Sequence, residues 1–340
     1  MTETAARRRT RKKTWSAFGE LTGKPNDYEI VTHNMNHTTG ETPLEMGPNV
    51  HGNVWLKRYR DEISIKISNW DAFRDPDRLT YDGYVKMQDE QEAYVDNLLA
   101  SYTAEDSIDS QLSDNCLNLL RSVMTPSRYL AHVQQMLSAY IHQLAPSSYI
   151  GNCAGFQVAD QLRRVQRVAY RTRQLDTEHP THGFGSSERE TWENAPGWQG
   201  VREAVEKLMI AYKWDEALVA FNLVIRPVCD NLFVNQLSRA ARLAGDELDA
   251  LVFENLYVDC ERHNRWTVSA TTFIIDEDPA HRETLRNLAG GWNDLAETIV
   301  QSGAAMIAEH VDALEAQTIA EDVLAKRVEL KWQAGLSGNA

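Results

Sequence analysis

The chain has 340 residues, 42% of them hydrophobic, and a formal charge of −14, enough to bury a substantial core as one large domain or two smaller ones. No run approaches the roughly 18 uninterrupted apolar residues of a membrane span; the best, Ala217 to Ile225, is short and interrupted by Asn222. Cys116, Cys153, Cys229 and Cys260 lie far apart with no C-x-x-C pair, which argues against a zinc site or disulfide framework and for a reducing cytoplasm.

The N-terminal cluster Arg7, Arg8, Arg9, Arg11, Lys12 and Lys13 leads into Thr14-Trp15-Ser16 and not into an apolar core, so it is no secretory signal. Without residues 1–13 the chain carries 29 basic and 48 acidic residues, a body that repels nucleic-acid backbones and membrane surfaces. The basic tail therefore reads as an arm lying on an acidic partner before it reads as an RNA contact. Residues 1–68 hold no sustained helical periodicity and are rich in Asn, Thr, Gly and Pro between Gly23 and Asn53. Such a length of irregular chain is expected to lie as an extended arm on another surface, ahead of a single helical domain over 69–340.

From Asp77 onward the pattern is helix after helix. Thr125-Pro126 is a start signal, a capping hydroxyl followed by proline. Tyr129, Leu130, Val133, Met136, Leu137, Tyr140, Ile141 and Leu144 then form one apolar stripe that ends at Pro146. Gln157 to Thr172 repeats the pattern, and residues 173–198 read as a polar connection. Further helices are expected over Val201 to Tyr212, Glu216 to Val234, Asp246 to Phe273, Ala280 to Ile307 and Ala308 to Gln333. Strand signals are nearly absent. The expectation is an all-α bundle of about eight to ten helices.

The motifs of a nucleophile elbow, a Walker loop and a dinucleotide fold are missing. A helical bundle with scattered acids and histidines raises instead the chemistry of a carboxylate-bridged diiron centre. That centre takes a Glu from each of two helices and an E-x-x-H pair from each of two others, the spacing that puts both ligands on one helical face. None of the ten histidines has a Glu three residues upstream. Asp176 and Asp278 precede His179 and His281 at that spacing beside prolines, where capping or turn contacts are the expectation.

Two segments nevertheless look like eroded ligand motifs: Asp160-Gln161-Leu162-Arg163-Arg164 and Asp259-Cys260-Glu261-Arg262-His263. Against a metal-binding D-E-x-R-H pattern, Gln161 and Cys260 stand where Glu would ligate, Arg164 replaces the first His, and His263 survives. Glu261 is one position off, about 100° around the helix. Two readings follow: an unusual metal site on Cys260, Glu261 and His263, or a buried polar network in which Asp160 and Asp259 pair with arginines where iron would sit. The single remaining His and the cation Arg164 favour the second.

At these residues the sequence resembles the β subunits of soluble bacterial multicomponent monooxygenases, in the toluene, phenol and alkene branch. Further blocks carry the likeness in order: Thr14-Trp15-Ser16 with Lys24 to Val31; Asn69 to Asp77 running into Tyr81, Tyr84 and Met87-Gln88-Asp89; Ala169 to Thr172; Trp192-Glu193 with Pro196 to Gly200; and Glu261 to His263 with Arg265-Trp266. The resemblance implies a ferritin-like, ribonucleotide reductase-like bundle with no cofactor of its own and vestigial ligand positions at Gln161, Arg164, Cys260 and His263, with Arg226 a looser candidate. It implies a catalytic α subunit with the diiron centre in an (αβ)2 or (αβγ)2 hydroxylase, an effector protein, a reductase with FAD and [2Fe–2S] fed by NADH, and in some systems a Rieske ferredoxin. Nucleic acid and membrane are not expected partners. Trp15, Tyr28, Trp55, Tyr59, Trp70 and Phe73 are candidates for subunit contact, since Trp and Tyr bury large area with a polar handle; their competing role is to pin the arm to its own bundle. The substrate, alkene or aromatic, stays open, with a lean toward alkene epoxidation. The alternatives are an autonomous diiron oxidase of the ribonucleotide reductase small-subunit type and a helical adaptor that uses the basic tail on nucleic acid.

Overall fold

A computed structural model describes residue 18 and residues 23–35, 49–103 and 108–336; Trp15 lies outside them. The described residues contain helices and turns and no strand, the expected all-α class.

The arm is more helical than its composition suggests. Asn26 caps α1 (Asp27–Thr32), accepting from the Glu29 amide while Glu29 reaches back to the Asn26 amide. A second short helix, α2 (His51–Leu56), runs into a π turn over Lys57–Asp61. Neither segment is long enough to show a period, and both owe their order to the surface beneath. The Tyr28 ring packs on Tyr149, with 5.8 Å between centroids, and the Asn34 amide donates to Ser148 Oγ at 2.9 Å. Buried Asp215 accepts from the Ser64 and Ile65 amides at 2.6 and 3.2 Å. The block Asn69 to Asp77 acts as a strap: Arg74 pairs with Glu29 at 2.9 Å, and Asp77 with Arg265 at 2.8 Å.

The bundle follows: α3 (Tyr81–Thr103), α4 (Asp114–Leu119, continued by a π turn to Met124), α5 (Ser127–Leu144) and α6 (Ser148–Glu178). Thr125 does not cap α5; its hydroxyl donates back to the Arg121 carbonyl at 3.2 Å, and proline alone marks the break. The stripe on α5 packs along α6 as its period demands. The expected connection over 173–198 shrinks to 179–187, because α6 runs to Glu178 and is followed by α7 (Glu188–Asn194) and α8 (Pro196–Leu208).

The next helix, α9 (Trp214–Leu243), is long and apolar enough to cross a membrane, yet its apolar window is wholly buried within the bundle. It is the core helix, largely apolar because neighbours cover every side. Two π segments, Val219–Ile225 and Asn231–Gln236, interrupt it. Then come α10 (Glu247–Glu277), α11 (His281–Gly290), α12 (Asn293–Ala308) and α13 (Ala316–Gln333). The single helix expected over Ala280 to Ile307 is thus split at Gly290-Gly291. Two glycines let α12 sit close: a Cβ on Gly200 would lie 2.9 Å from Thr298 Cγ2, and one on Gly303 would lie 2.8 Å from Leu232 Cδ1.

Candidate functional site

Helices α3, α5, α6, α9 and α10 converge on one buried polar centre. Steps of three and four put Gln157, Asp160, Gln161 and Arg164 on the inner face of α6, and Leu256, Asp259, Cys260 and His263 on that of α10. From α9 come Asn222, inside the first π segment, and Arg226 and Asp230, between the two, at i, i+4 and i+8, where a π turn can redirect side chains.

One half of the centre is built on Asp230. Arg164 Nη1 and Arg226 Nη1 donate to its two oxygens, each at 2.9 Å. Arg164 also donates to Gln134 Oε1 at 3.1 Å and to Cys260 Sγ at 2.8 Å. Arg226 continues to Asn222 Oδ1 at 3.0 Å and Asn264 Oδ1 at 2.9 Å. Asn222 takes a further bond from Gln157, which accepts from Trp266 Nε1 at 3.1 Å. Burial works to raise the pKa of Asp230, but Arg164 and Arg226 outweigh it and hold the carboxyl below the usual carboxylate range.

The other half is built on Asp160 and Asp259. Gln88 Nε2 donates to both, each at 2.9 Å, and Tyr84 donates to Asp160 at 2.8 Å. Arg262 pairs with both carboxylates, and Arg163 with Asp259 at 2.9 Å. Burial raises both acids, with Arg262 and Arg163 pulling back. His263 Nε2 lies 2.7 Å from Asp160 Oδ2. Burial, then Arg226 and Arg262, hold the imidazole well below its ordinary value, so it is neutral: Nε2 donates to Asp160 and Nδ1 is a buried acceptor without a partner.

The structure brings Arg164, Cys260 and His263 into this one centre, with Arg226 beside them; Gln161 is buried on the same face of α6, its side-chain amide without a hydrogen-bond partner. Glu261 is exposed and lines an outer groove with Tyr257, Lys326 and Gln333. His179 and His281 bond the backbone carbonyls of Asp109 and Lys66. The donor set does not fit an iron pair. Two guanidinium groups share Asp230, the imidazole Nε2 is committed to Asp160, and among the described residues no three His, Cys, Asp or Glu side chains group to hold a metal ion. Sequence reasoning missed Asp230, Gln134 and Asn222. The available signal was Arg226 and Asp230 at i, i+4 inside an otherwise apolar run.

The model of the methane/phenol/alkene hydroxylase family matches residues 54–278. The chain belongs to that family. Over 307 residues it is 37% identical to the hydroxylase component β subunit of the toluene-4-monooxygenase system of Ectopseudomonas mendocina, covering 90% of this chain and 93% of the relative. The small subunit of the propane 2-monooxygenase hydroxylase component of Rhodococcus jostii is 27% identical over 67% of this chain and 62% of its own length. A solved structure of toluene 4-monooxygenase superposes with TM-score 0.82 at 36% identity, covering 89% of this chain and 99% of that one. A phenol hydroxylase from Pseudomonas sp. OX1 gives 0.80 at 16% identity over 100% and 99%, a likeness of fold. This hydroxylase-family bundle is the ferritin-like fold that the family resemblance implied.

Of the aromatic contact candidates, Tyr28 and Phe73 are 5% and 1% exposed, spent on Tyr149 and Phe273, and so offer no ring surface to a second chain. Trp55, Tyr59 and Trp70 are half-buried; Trp55 meets Tyr212 edge-on, Tyr59 meets it at a tilt, and Trp70 meets Trp214 edge-on.

The neutral His263 has a measurable consequence. Its folded pKa lies below its unfolded value near 6.5, so as pH falls through that value the unfolded chain takes up a proton that the folded chain refuses. The associated stability is present above pH ~6.5 and is lost progressively below it, at a limiting slope of about 1.4 kcal/mol per pH unit. H263Q keeps a donor toward Asp160 and removes this titration. Urea unfolding between pH 6.5 and 5 is expected to show a shallower fall for H263Q than for the native chain; parallel profiles would contradict a neutral buried imidazole.

Proposed function

We propose that the chain is the non-catalytic β subunit of the hydroxylase component of an NADH-dependent multicomponent diiron monooxygenase. The observation that carries this reading is Arg164 and Arg226 closed on Asp230 in the bundle centre, which puts two cations where a diiron subunit needs anionic ligands. The chain's work is then mechanical. Its arm, strap and ion-paired core present a rigid bundle to a catalytic α subunit in an (αβ)2 or (αβγ)2 assembly. The exposed edges of Trp55, Tyr59 and Trp70 are the contact this reading assigns to that partner, with Val54 and Ile210 exposed beside them. The diiron centre belongs to α. Electrons reach it from NADH through a reductase carrying FAD and [2Fe–2S], in some systems through a Rieske ferredoxin, with an effector protein regulating the exchange in the cytoplasm.

The higher identity to the toluene system than to the propane system supports an aromatic or alkene substrate for the assembly over an alkane. Iron analysis tests the role. Iron is expected to accompany the α subunit, with none retained by this chain once the two are separated; about two irons bound per separated chain would restore the autonomous diiron oxidase.

A further inference from the structure

Away from the bundle centre, α12 and α13 meet at two cations that lack an anion. Arg327 is 6% exposed. Among the described residues the acid acting on it is Glu297, an exposed side chain beyond ion-pair distance. Arg327 Nη2 and Lys331 Nζ instead converge on one neutral acceptor, Asn293 Oδ1, the lysine at 3.1 Å. Arg327 Nε is buried with no partner. A guanidinium taken out of water without a counter-charge is unfavourable until an anion completes it. Burial accordingly lowers Arg327, and burial together with Arg327 pushes Lys331 down to about 8.

Asn293 is also the first residue of α12, a 16-residue helix whose preceding residue, Trp292, provides no side-chain cap. The N–H groups of that first turn lack intrahelical partners and form the positive end of the helix dipole. A buried cation and a second half-buried cation thus meet on one neutral amide oxygen, carried by the first residue of an uncapped helix, where a charged oxygen would offset both.

We propose that Arg327, Lys331 and the first turn of α12 form an oxyanion site, filled either by a free phosphate-type anion or by a carboxylate that an adjoining chain presents. The chemistry is the same in both cases: oxygens accept from the guanidinium and the ammonium on one side and from helix N–H groups on the other. The site lies apart from the polar centre of the bundle; a free anion as occupant does not depend on the subunit role proposed above, whereas a partner carboxylate rests on it.

Inorganic phosphate titrated into the full-length chain at constant ionic strength tests it, followed by the thermal midpoint and by phosphorus NMR line width. A saturable rise in the midpoint with line broadening is expected, weakened about tenfold by K331Q and abolished by R327Q. E297Q, which removes a repelling carboxylate, is expected to tighten it. Should R327Q fail to fold, K331Q carries the test, because Lys331 is half-buried and its side chain makes a single hydrogen bond here. In the assembled hydroxylase, phosphate binding that persists identifies a free anion as the occupant, and binding that disappears identifies a partner carboxylate. Equal phosphate responses of the native chain and K331Q overturn the site. So does a loss of stability in E297Q without any phosphate response, which would make Glu297 the internal counter-ion.

Discussion

Asp230→Asn is expected to destabilise the chain by about 3–5 kcal/mol, the range for removing one partner of a buried ion pair. The side chain keeps its shape and loses its charge, while Arg164 and Arg226, both among the buried charged residues, keep theirs. Each guanidinium then has only neutral acceptors: Gln134 and Cys260 for Arg164, Asn222 and Asn264 for Arg226. Two desolvated cations with no anion between them should also repel. Urea unfolding at neutral pH, followed by helical circular dichroism, measures the loss. The companion variant R164M/D230N separates charge from packing, because it removes one of the stranded cations and should regain part of the deficit. A D230N cost under about 1 kcal/mol would mean that the arginines are hydrated and the centre is not a closed ion cluster.

The same cluster explains what could be read from the sequence and what could not. Arg164 and His263 were visible because they stand at positions of a motif with a fixed spacing, and helical spacing survives from sequence to structure. Their partners were invisible. Asp230 reaches Arg164 across 66 residues of chain, and no local pattern announces a contact between helices. Gln88, which bridges Asp160 and Asp259, comes from α3, a helix with a weak apolar stripe that sequence periodicity barely marks. Long periodic helices such as α5 and α10 were legible within a few residues. The short α1, α2 and α7 were not, since six or seven residues give no period and their order comes from the surface they rest on. The split at Gly290-Gly291 could have been inferred from the glycine pair, which interrupts a helix at low steric cost. In the arm, the aromatic residues were visible but their direction was not: Tyr28 and Phe73 turn inward to this chain's own core, a choice made by Tyr149 and Phe273 far along the sequence.

Arg171→Met is expected to cost a comparable amount, about 3–5 kcal/mol, at a second buried ion cluster remote in sequence from the first. Arg171 is 1% exposed and has all five N–H groups in use. Nε and Nη2 meet Asp249 at 2.7 and 2.9 Å, Nη1 and Nη2 meet Asp109 at 3.0 and 2.8 Å, and Nη1 reaches Gln174 at 2.8 Å. The single guanidinium thereby ties α6 to the first turn of α10 and to the 3-10 turn at Ile108–Gln111. Methionine fills much of the volume but leaves two buried carboxylates facing each other, with Asp246, which burial and Asp249 already push well above the usual carboxylate range, close by. R171K supplies the discriminating comparison. It retains the charge and cannot reproduce two bidentate contacts, so its stability should fall between the native chain and R171M. If R171K matched the native chain, charge alone would hold the three segments together; if it matched R171M, the planar fork is what this position requires.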